Sequence, residues 1–260
     1  MSGSQVSFSL IGPGRAGRSL LEALHGSDWQ CQNTYKRGDN VAMAAQGVDV
    51  LILTVPDDAI AAVANSVHPV GNTAVLHLSG AKTLEVLAPH PRRGSVHPLV
   101  SLPDPATGAA RLVDNAAFAV AGDPVGRSLV ETLGGRWFVV DDEQRALYHA
   151  TAAIASNHLV ALCAQVYRLA ERLEISPDLY TELMAKTLEN VRRVGPLEAL
   201  TGPAARGDLA TVNDHTEALS ELDEHEVALY SLFAAEATRL GERARRAEPA
   251  SDGQDRWPSG

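Results

Sequence analysis

Val6-Ser-Phe-Ser-Leu-Ile-Gly-Pro-Gly-Arg-Ala-Gly17 decides how the rest of the chain folds. The segment through Ile11 has the length and apolar character of a strand, and Gly12-Pro13-Gly14 breaks it. From Arg15 onward, apolar residues recur at Ala16, Leu20, Leu21 and Leu24 with helical spacing. Strand, tight turn and helix form the context in which Gly-x-Gly-x-x-Gly carries a mechanism. Gly12 permits the turn, Gly14 lets the backbone approach a pyrophosphate, and Gly17 lets the helix lie close to the strand while its N-terminus faces the anion. An ordinary glycine-rich turn would share the local geometry. The alternation of strands and helices that follows favours dinucleotide binding, with Gly12, Pro13, Gly14, Arg15, Ala16 and Gly17 as the contact turn.

Working outward, Gln30 to Tyr35 reads as a second strand. Val48-Asp-Val-Leu-Ile-Leu-Thr-Val55 is nearly continuous apolar sequence, as a strand covered on both faces of a parallel sheet requires. Pro56 stops it, Asp57 or Asp58 is positioned to cap a helix from Ala59 to Val67, and Thr73 to Leu78 makes a fourth strand. Ser95 to His97, Ala116 to Ala121 and Arg136 to Val140 complete an expected sheet of roughly six to eight strands. Glu143 to Leu173 then contains neither Gly nor Pro and predicts one long helix. Ser176-Pro177 opens a second helix that ends at Gly195-Pro196, and two more cover Asp208 to Leu222 and Glu224 to Arg246. The expected fold is therefore α/β, a Rossmann dinucleotide-binding domain over 1–141 followed by an all-α domain over 142–247. A Pro-, Ser- and Gly-rich tail over 248–260 is expected to be disordered.

Composition narrows the function classes. The chain of 260 residues carries a net charge of -10, with Lys+Arg 22 against Asp+Glu 32, so it lacks the basic footprint that nucleic acid or anionic lipid would need. No apolar run reaches the roughly 18 residues of a membrane span, and no leader pattern opens the chain, so the expected compartment is the cytoplasm. Cys31 and Cys163, far apart and unpaired, suit buried thiols in a reducing environment. The nine histidines fall into no metal-ligand spacing, so no metal is expected.

Further residues point to cofactor and substrate chemistry. About 20 residues past the glycines, NAD-binding sequences place a carboxylate for the ribose; this chain has Tyr35-Lys36-Arg37, which suits a 2′-phosphate and favours NADP. Val55, Pro56, Asp57 and Ser79 end the third and fourth strands, where ligands of open α/β sheets lie. His77, one residue inside its strand, is expected to pack on the sheet, whereas His97, followed by Pro98 at a strand end, is an active-site candidate. Tyr148-His-Ala-Thr-Ala-Ala-Ile-Ala-Ser-Asn-His158 sets His149, Ser156 and Asn157 towards one helix face, at about 100° per residue, with small alanines between them and His158 opposite. A polar seam between packed helices would look the same. His149 nevertheless has a proton donor's chemistry near neutral pH. Thr201-Gly-Pro-Ala-Ala-Arg-Gly-Asp208 is a helix connection that could also offer Arg206 and backbone N–H groups to a carboxylate.

Taken together, Gly12–Gly17, Thr54-Val-Pro-Asp-Asp-Ala-Ile60, His77-Leu-Ser-Gly80, Val96-His-Pro-Leu99, Tyr148–His158 and Ala199–Asp208 resemble the Rossmann-like family whose C-terminal half is a domain of unknown function. More distantly the chain is similar to the 6-phosphogluconate dehydrogenase superfamily, which includes pyrroline-5-carboxylate reductase and ketopantoate reductase. The resemblance implies an NADPH-dependent reductase of a small carbonyl acid, with 2-ketopantoate reduction in pantothenate biosynthesis as the particular case. The common ketopantoate reductase uses a lysine and asparagines on its first long interdomain helix; the matching region here offers His149 and Asn157 and no lysine. The expected catalytic set is His149, Asn157 and Ser156. The alternatives are an imine reductase of the pyrroline-5-carboxylate type and an NADP-binding sensor without turnover. The apolar long helix also predicts a homodimer through the helical half.

Overall fold

A computed structural model describes residues 5–247, so the expected tail over 248–260 lies outside the described residues. The first half alternates β1 (Val6–Ile11), α1 (Arg15–Ala23), β2 (Trp29–Tyr35), β3 (Val50–Leu53), α2 (Ile60–Ser66), β4 (Ala74–His77), β5 (Arg92–Pro98), α3 (Pro105–Val113), β6 (Ala117–Gly122), α4 (Val125–Thr132) and β7 (Arg136–Val139). The strands make one sheet of order β2-β1-β3-β4-β5-β6-β7. All neighbours are parallel except β5 and β6, which run antiparallel. This is the expected Rossmann-type sheet.

The apolar run of β3 explains why it lies at the centre. Val50 and Ile52 join Phe8, Leu10, Leu76 and Phe118 in one buried cluster, while Leu51 and Leu53 join Ile11, Val75, Ile60 and Leu87 in another. Successive side chains of a strand point to opposite faces, so two layers of helices bury both sets. Each such side chain contributes about 1.5–3 kcal/mol relative to exposure. The edges differ. β2 is polar along its exposed middle, Cys31 to Thr34, whereas β7 leaves Trp137 40%, Phe138 37% and Val139 48% exposed.

The remaining elements are α5 (Arg145–Ala153), a π turn (Ile154–His158), α6 (Leu159–Arg172), α7 (Pro177–Ala199), α8 (Pro203–Arg206), α9 (Leu209–Ser220) and α10 (Glu224–Ala247). Backbone packing divides the chain into one compact unit up to His158 and another from Leu159 onward, so the first unit continues past 141 through α5 and the π turn. Ser176 caps α7 by accepting from Asp178 N, and Gly195, at φ 82°, breaks that helix where Gly-Pro predicts its end. Asp208 caps α9 by accepting from Thr211 N.

Three expectations are corrected. The single helix from Glu143 to Leu173 is interrupted at Ile154–His158, where the hydrogen-bonding widens into a π turn. Neither Asp57 nor Asp58 caps α2, whose N-cap is Ala59 without a side-chain bond; Asp57 instead accepts from Ser79 Oγ at 2.7 Å. The cysteines are not both buried: Cys31 is exposed because β2 is an edge strand, and Cys163 is half-buried beside Met184 Sδ at 3.9 Å. Among the described residues, no helix is long and apolar enough to cross a membrane, and no group of His, Cys, Asp and Glu could hold a metal ion.

Candidate active site

The glycine turn has the geometry its spacing predicts. Gly12 has φ 91°, and a Cβ there would meet Val55 Cγ1 at 2.7 Å and Val55 N at 3.0 Å, so no side chain fits. A Cβ on Gly17 would meet Thr54 Oγ1 at 2.5 Å and Gly12 O at 2.8 Å, which brings α1 close onto the β1–β3 ends. Thr54 Oγ1 seals this corner by donating to Gly12 O at 2.6 Å. Gly14, the N-cap of α1, would find only Gly12 O at 4.0 Å, so its outer side is open to a ligand at the helix N-terminus.

That open side belongs to a cleft of about 830 Å³ along the strand ends, lined by Gly12, Pro13, Gly14, Val55 and Pro56, with Lys36 and Arg37 where β2 ends. Arg15, Ala16, Gly17, Asp57 and Ser79 stand outside that lining. Arg18 and Asp58 are within it; the sequence assigns Arg18 no role and Asp58 only that of a candidate helix cap. Arg18 begins the second turn of α1, so its side chain reaches back and donates from Nε to Pro13 O at 3.0 Å. The basic loop is shaped by Asp39, whose carboxylate accepts from Lys36 N at 2.7 Å. The turn, the open helix N-terminus and the two cations at the strand end fit a dinucleotide carrying a 2′-phosphate.

A second pocket, of about 370 Å³, brings together His97, His149, Ser156 and Asn157 with Ala152 and Ala153 between them; His158 does not line it. Three residues run between it and the cleft. Asp57, beside the cleft's Pro56 and Asp58, accepts from Ser79, and a Cβ on the next residue, Gly80, would lie 2.9 Å from His149 Nδ1 and from His97 Nε2. Position 80 therefore has to be glycine for both imidazoles to approach this close.

The electrostatics of this corner follow from burial. His97 Nδ1 is 2.6 Å from the Tyr148 hydroxyl, and its ring meets those of Tyr148 and His149 edge-on. Burial, and then the neighbouring His149 and Arg145, push the His97 pKa down to about 4, while Asp57 works the other way. Burial pushes Tyr148 up to about 12 against the pull of Arg145. Arg145 is 1% exposed. Its guanidinium donates to Ser79 O at 3.3 Å and to Ser95 Oγ, and it faces Asp142 at 3.5 Å. His77, fully buried as expected, accepts from Ser79 N and is held neutral by burial, its pKa pushed down to about 4. The sequence by itself assigns no role to Arg145, Tyr148 or Gly80. The only signal for Arg145 was a cation three residues after Asp142 at the start of an apolar helix.

Known proteins share the fold. Residues 116–237 match the family model described as Domain of unknown function (DUF2520). No curated protein matches the chain. Among solved structures, protein TM1727 from Thermotoga maritima superposes with a TM-score of 0.73 at 24% identity, covering 92% of this chain and 100% of that one. An imine reductase from Streptomyces aurantiacus gives 0.64 at 14% identity, covering 92% and 99%. The Plasmodium falciparum pyrroline carboxylate reductase, with NADP bound, gives 0.58 at 10% identity, covering 92% and 99%. At these identities the likeness is one of fold; two of these three proteins are named as reductases.

Proposed function

We propose that this chain is an NADPH-dependent reductase of a small carbonyl acid, with 2-ketopantoate as the first substrate to test. The observation that carries the reading is the run of contacts through Asp57, Ser79 and Gly80, which leads from the cleft at the glycine turn to a pocket holding two imidazoles. NADPH, when bound, supplies the reducing electron pair. The chain's own residues do the rest. Gly14 and the α1 N-terminus bind the pyrophosphate, and Lys36 and Arg37 hold the 2′-phosphate. His149, its Nδ1 buried without a partner, exchanges a proton with the reacting oxygen or nitrogen, while Ser156 and Asn157 orient the substrate. The fold likeness to an imine reductase and a pyrroline carboxylate reductase favours a second reading, reduction of a cyclic imine acid. Assaying 1-pyrroline-5-carboxylate beside 2-ketopantoate separates the two, and tight NADPH binding with neither consumed would indicate a sensor.

NADPH is expected to bind better than NADH. A charge-assisted bond to the phosphate contributes about 1.5–3 kcal/mol, so Arg37→Ala should weaken NADPH by about 10- to 100-fold and leave NADH nearly unchanged. Titration with both cofactors checks this, and equal weakening of the two would remove the 2′-phosphate assignment.

We also propose that the protein is a homodimer through its helical unit, whose helices leave Val160, Leu173, Leu179, Leu183, Leu232 and Phe233 more than half exposed. Light scattering at micromolar concentration is expected to give twice the chain mass; a monomer would refute it.

A further inference from the structure

We propose that His97 presents its Nε2–H to the pocket as a fixed hydrogen-bond donor for a substrate oxygen, and that the Tyr148 hydroxyl holds the imidazole in that tautomer. The inference deepens the reductase reading and rests on it for the nature of the ligand.

The proton of the His97–Tyr148 hydrogen bond sits on one of two atoms. Two arrangements are open: the phenol donates to Nδ1, or Nδ1–H donates to the phenol oxygen. Among the described residues, the Tyr148 hydroxyl has no hydrogen-bond partner other than His97. If Nδ1 carried the proton, the phenol's own hydrogen would be left without an acceptor in a half-buried site. With the phenol donating, both groups are satisfied. Both also stay neutral around pH 7, since burial raises the phenol and lowers the imidazole. A neutral imidazole whose Nδ1 accepts must carry its hydrogen on Nε2.

Backbone and packing then fix where that hydrogen lies. His97 is on β5 between the buried Val96 and Pro98, and Tyr148 is braced edge-on by Phe138 at 5.9 Å between centroids. Nε2 and the buried, unpartnered His149 Nδ1 each lie 2.9 Å from the position that a Cβ on Gly80 would take. Two nitrogens thus converge on one point without bonding each other, and both their residues line the pocket. An imidazole that stays neutral well below pH 7 is a poor acid. It is well suited to stabilise negative charge developing on a carbonyl oxygen without giving up its proton. The division of labour follows: His97 donates a hydrogen bond, and His149 exchanges the proton. Tyr148 acts through His97 as a positioning residue.

The test uses the full chain with nitrogen-15 histidine, long-range proton–nitrogen correlation at pH 7, and His97→Gln to assign the signal. Wild type is expected to show His97 as the neutral Nε2–H tautomer, and Tyr148→Phe to show a mixture of tautomers. An Nδ1–H tautomer or an imidazolium in wild type, or an unchanged tautomer in Tyr148→Phe, overturns the proposal. Adding 2-ketopantoate with NADP should move the His97 Nε2–H resonance, and an unmoved signal overturns the substrate contact. In turnover, glutamine can place an amide N–H near the Nε2 position, which the shorter asparagine cannot reach. His97→Asn should therefore lose about 10²–10³-fold in kcat and His97→Gln substantially less, both keeping NADPH affinity within about twofold. Equal loss in both variants, or none in either, counts against the donor role. Absence of NADPH consumption by wild type with 2-ketopantoate and 1-pyrroline-5-carboxylate would instead fail the reductase reading, while the tautomer and resonance measurements still decide the role of His97.

Discussion

His149→Ala is expected to lower kcat by about 10²–10⁴-fold while leaving NADPH affinity nearly unchanged, because removing a proton-transfer group commonly costs that much and the dinucleotide contacts lie elsewhere. The structural basis is specific. His149 lines the second pocket with Ser156 and Asn157, its Nδ1 is buried without a partner, and a Cβ on residue 80 would lie 2.9 Å from that nitrogen. His158→Ala is the internal control, since His158 is exposed and does not line that pocket. Steady-state kinetics beside a cofactor titration reads both quantities. An active His149→Ala enzyme would remove the proton-transfer role, and a parallel loss of NADPH binding would mean that the substitution had disturbed the fold.

The second large effect is on stability. Arg145 is the bulkiest fully buried side chain, and it ties Ser79 O at the end of β4 and Ser95 Oγ on β5 to the start of α5. Arg145→Met keeps much of the volume but leaves the two oxygens without their donor and Asp142 without its cation. An unsatisfied buried group costs about 1–3 kcal/mol, so the loss should come to about 3 kcal/mol after the arginine's own desolvation cost is recovered. For a domain of this size that lowers Tm by about 6–12 °C. Tyr148 and His149 stand three and four residues along the same helix, so kcat should fall as well. A thermal melt within about 1 °C of wild type would show that the buried cation does not hold the site together.

What was legible in the sequence follows from where each interaction is encoded. The strands were readable because strands covered on both faces must be apolar throughout, and Val50 to Leu53 is. The turn was readable because Gly12 and Gly17 are each required by a contact a few residues away or on the adjoining strand. Asp57 and Asp58 both read as candidate caps because the actual partner of Asp57, Ser79, lies 22 residues on, and nothing local distinguishes a capping aspartate from one engaged across strand ends. The π turn left no mark, since Ile154 to His158 holds no Gly or Pro; even so, His149, Ser156 and Asn157 share a pocket. Cys31 went wrong because strand order, which makes β2 an edge, is a property of the assembled sheet. The same reason hid the meeting of Gly80, His97 and His149, which come from three separated segments.

The two margins of the sheet carry different colloidal hazards. A terminal strand offers a row of unpaired amides to any passing extended chain, and protection comes from polarity, charge or twist. β2 meets that danger with the side chains of Gln32, Asn33 and Thr34. β7, by contrast, is Arg-Trp-Phe-Val with every residue exposed, guarded by Arg136 and by Arg127 stacked 4.7 Å over the Trp137 ring. Those two arginines stand where gatekeepers against intermolecular strand addition belong, so replacing them with apolar residues is expected to raise the tendency of concentrated protein to aggregate through this margin.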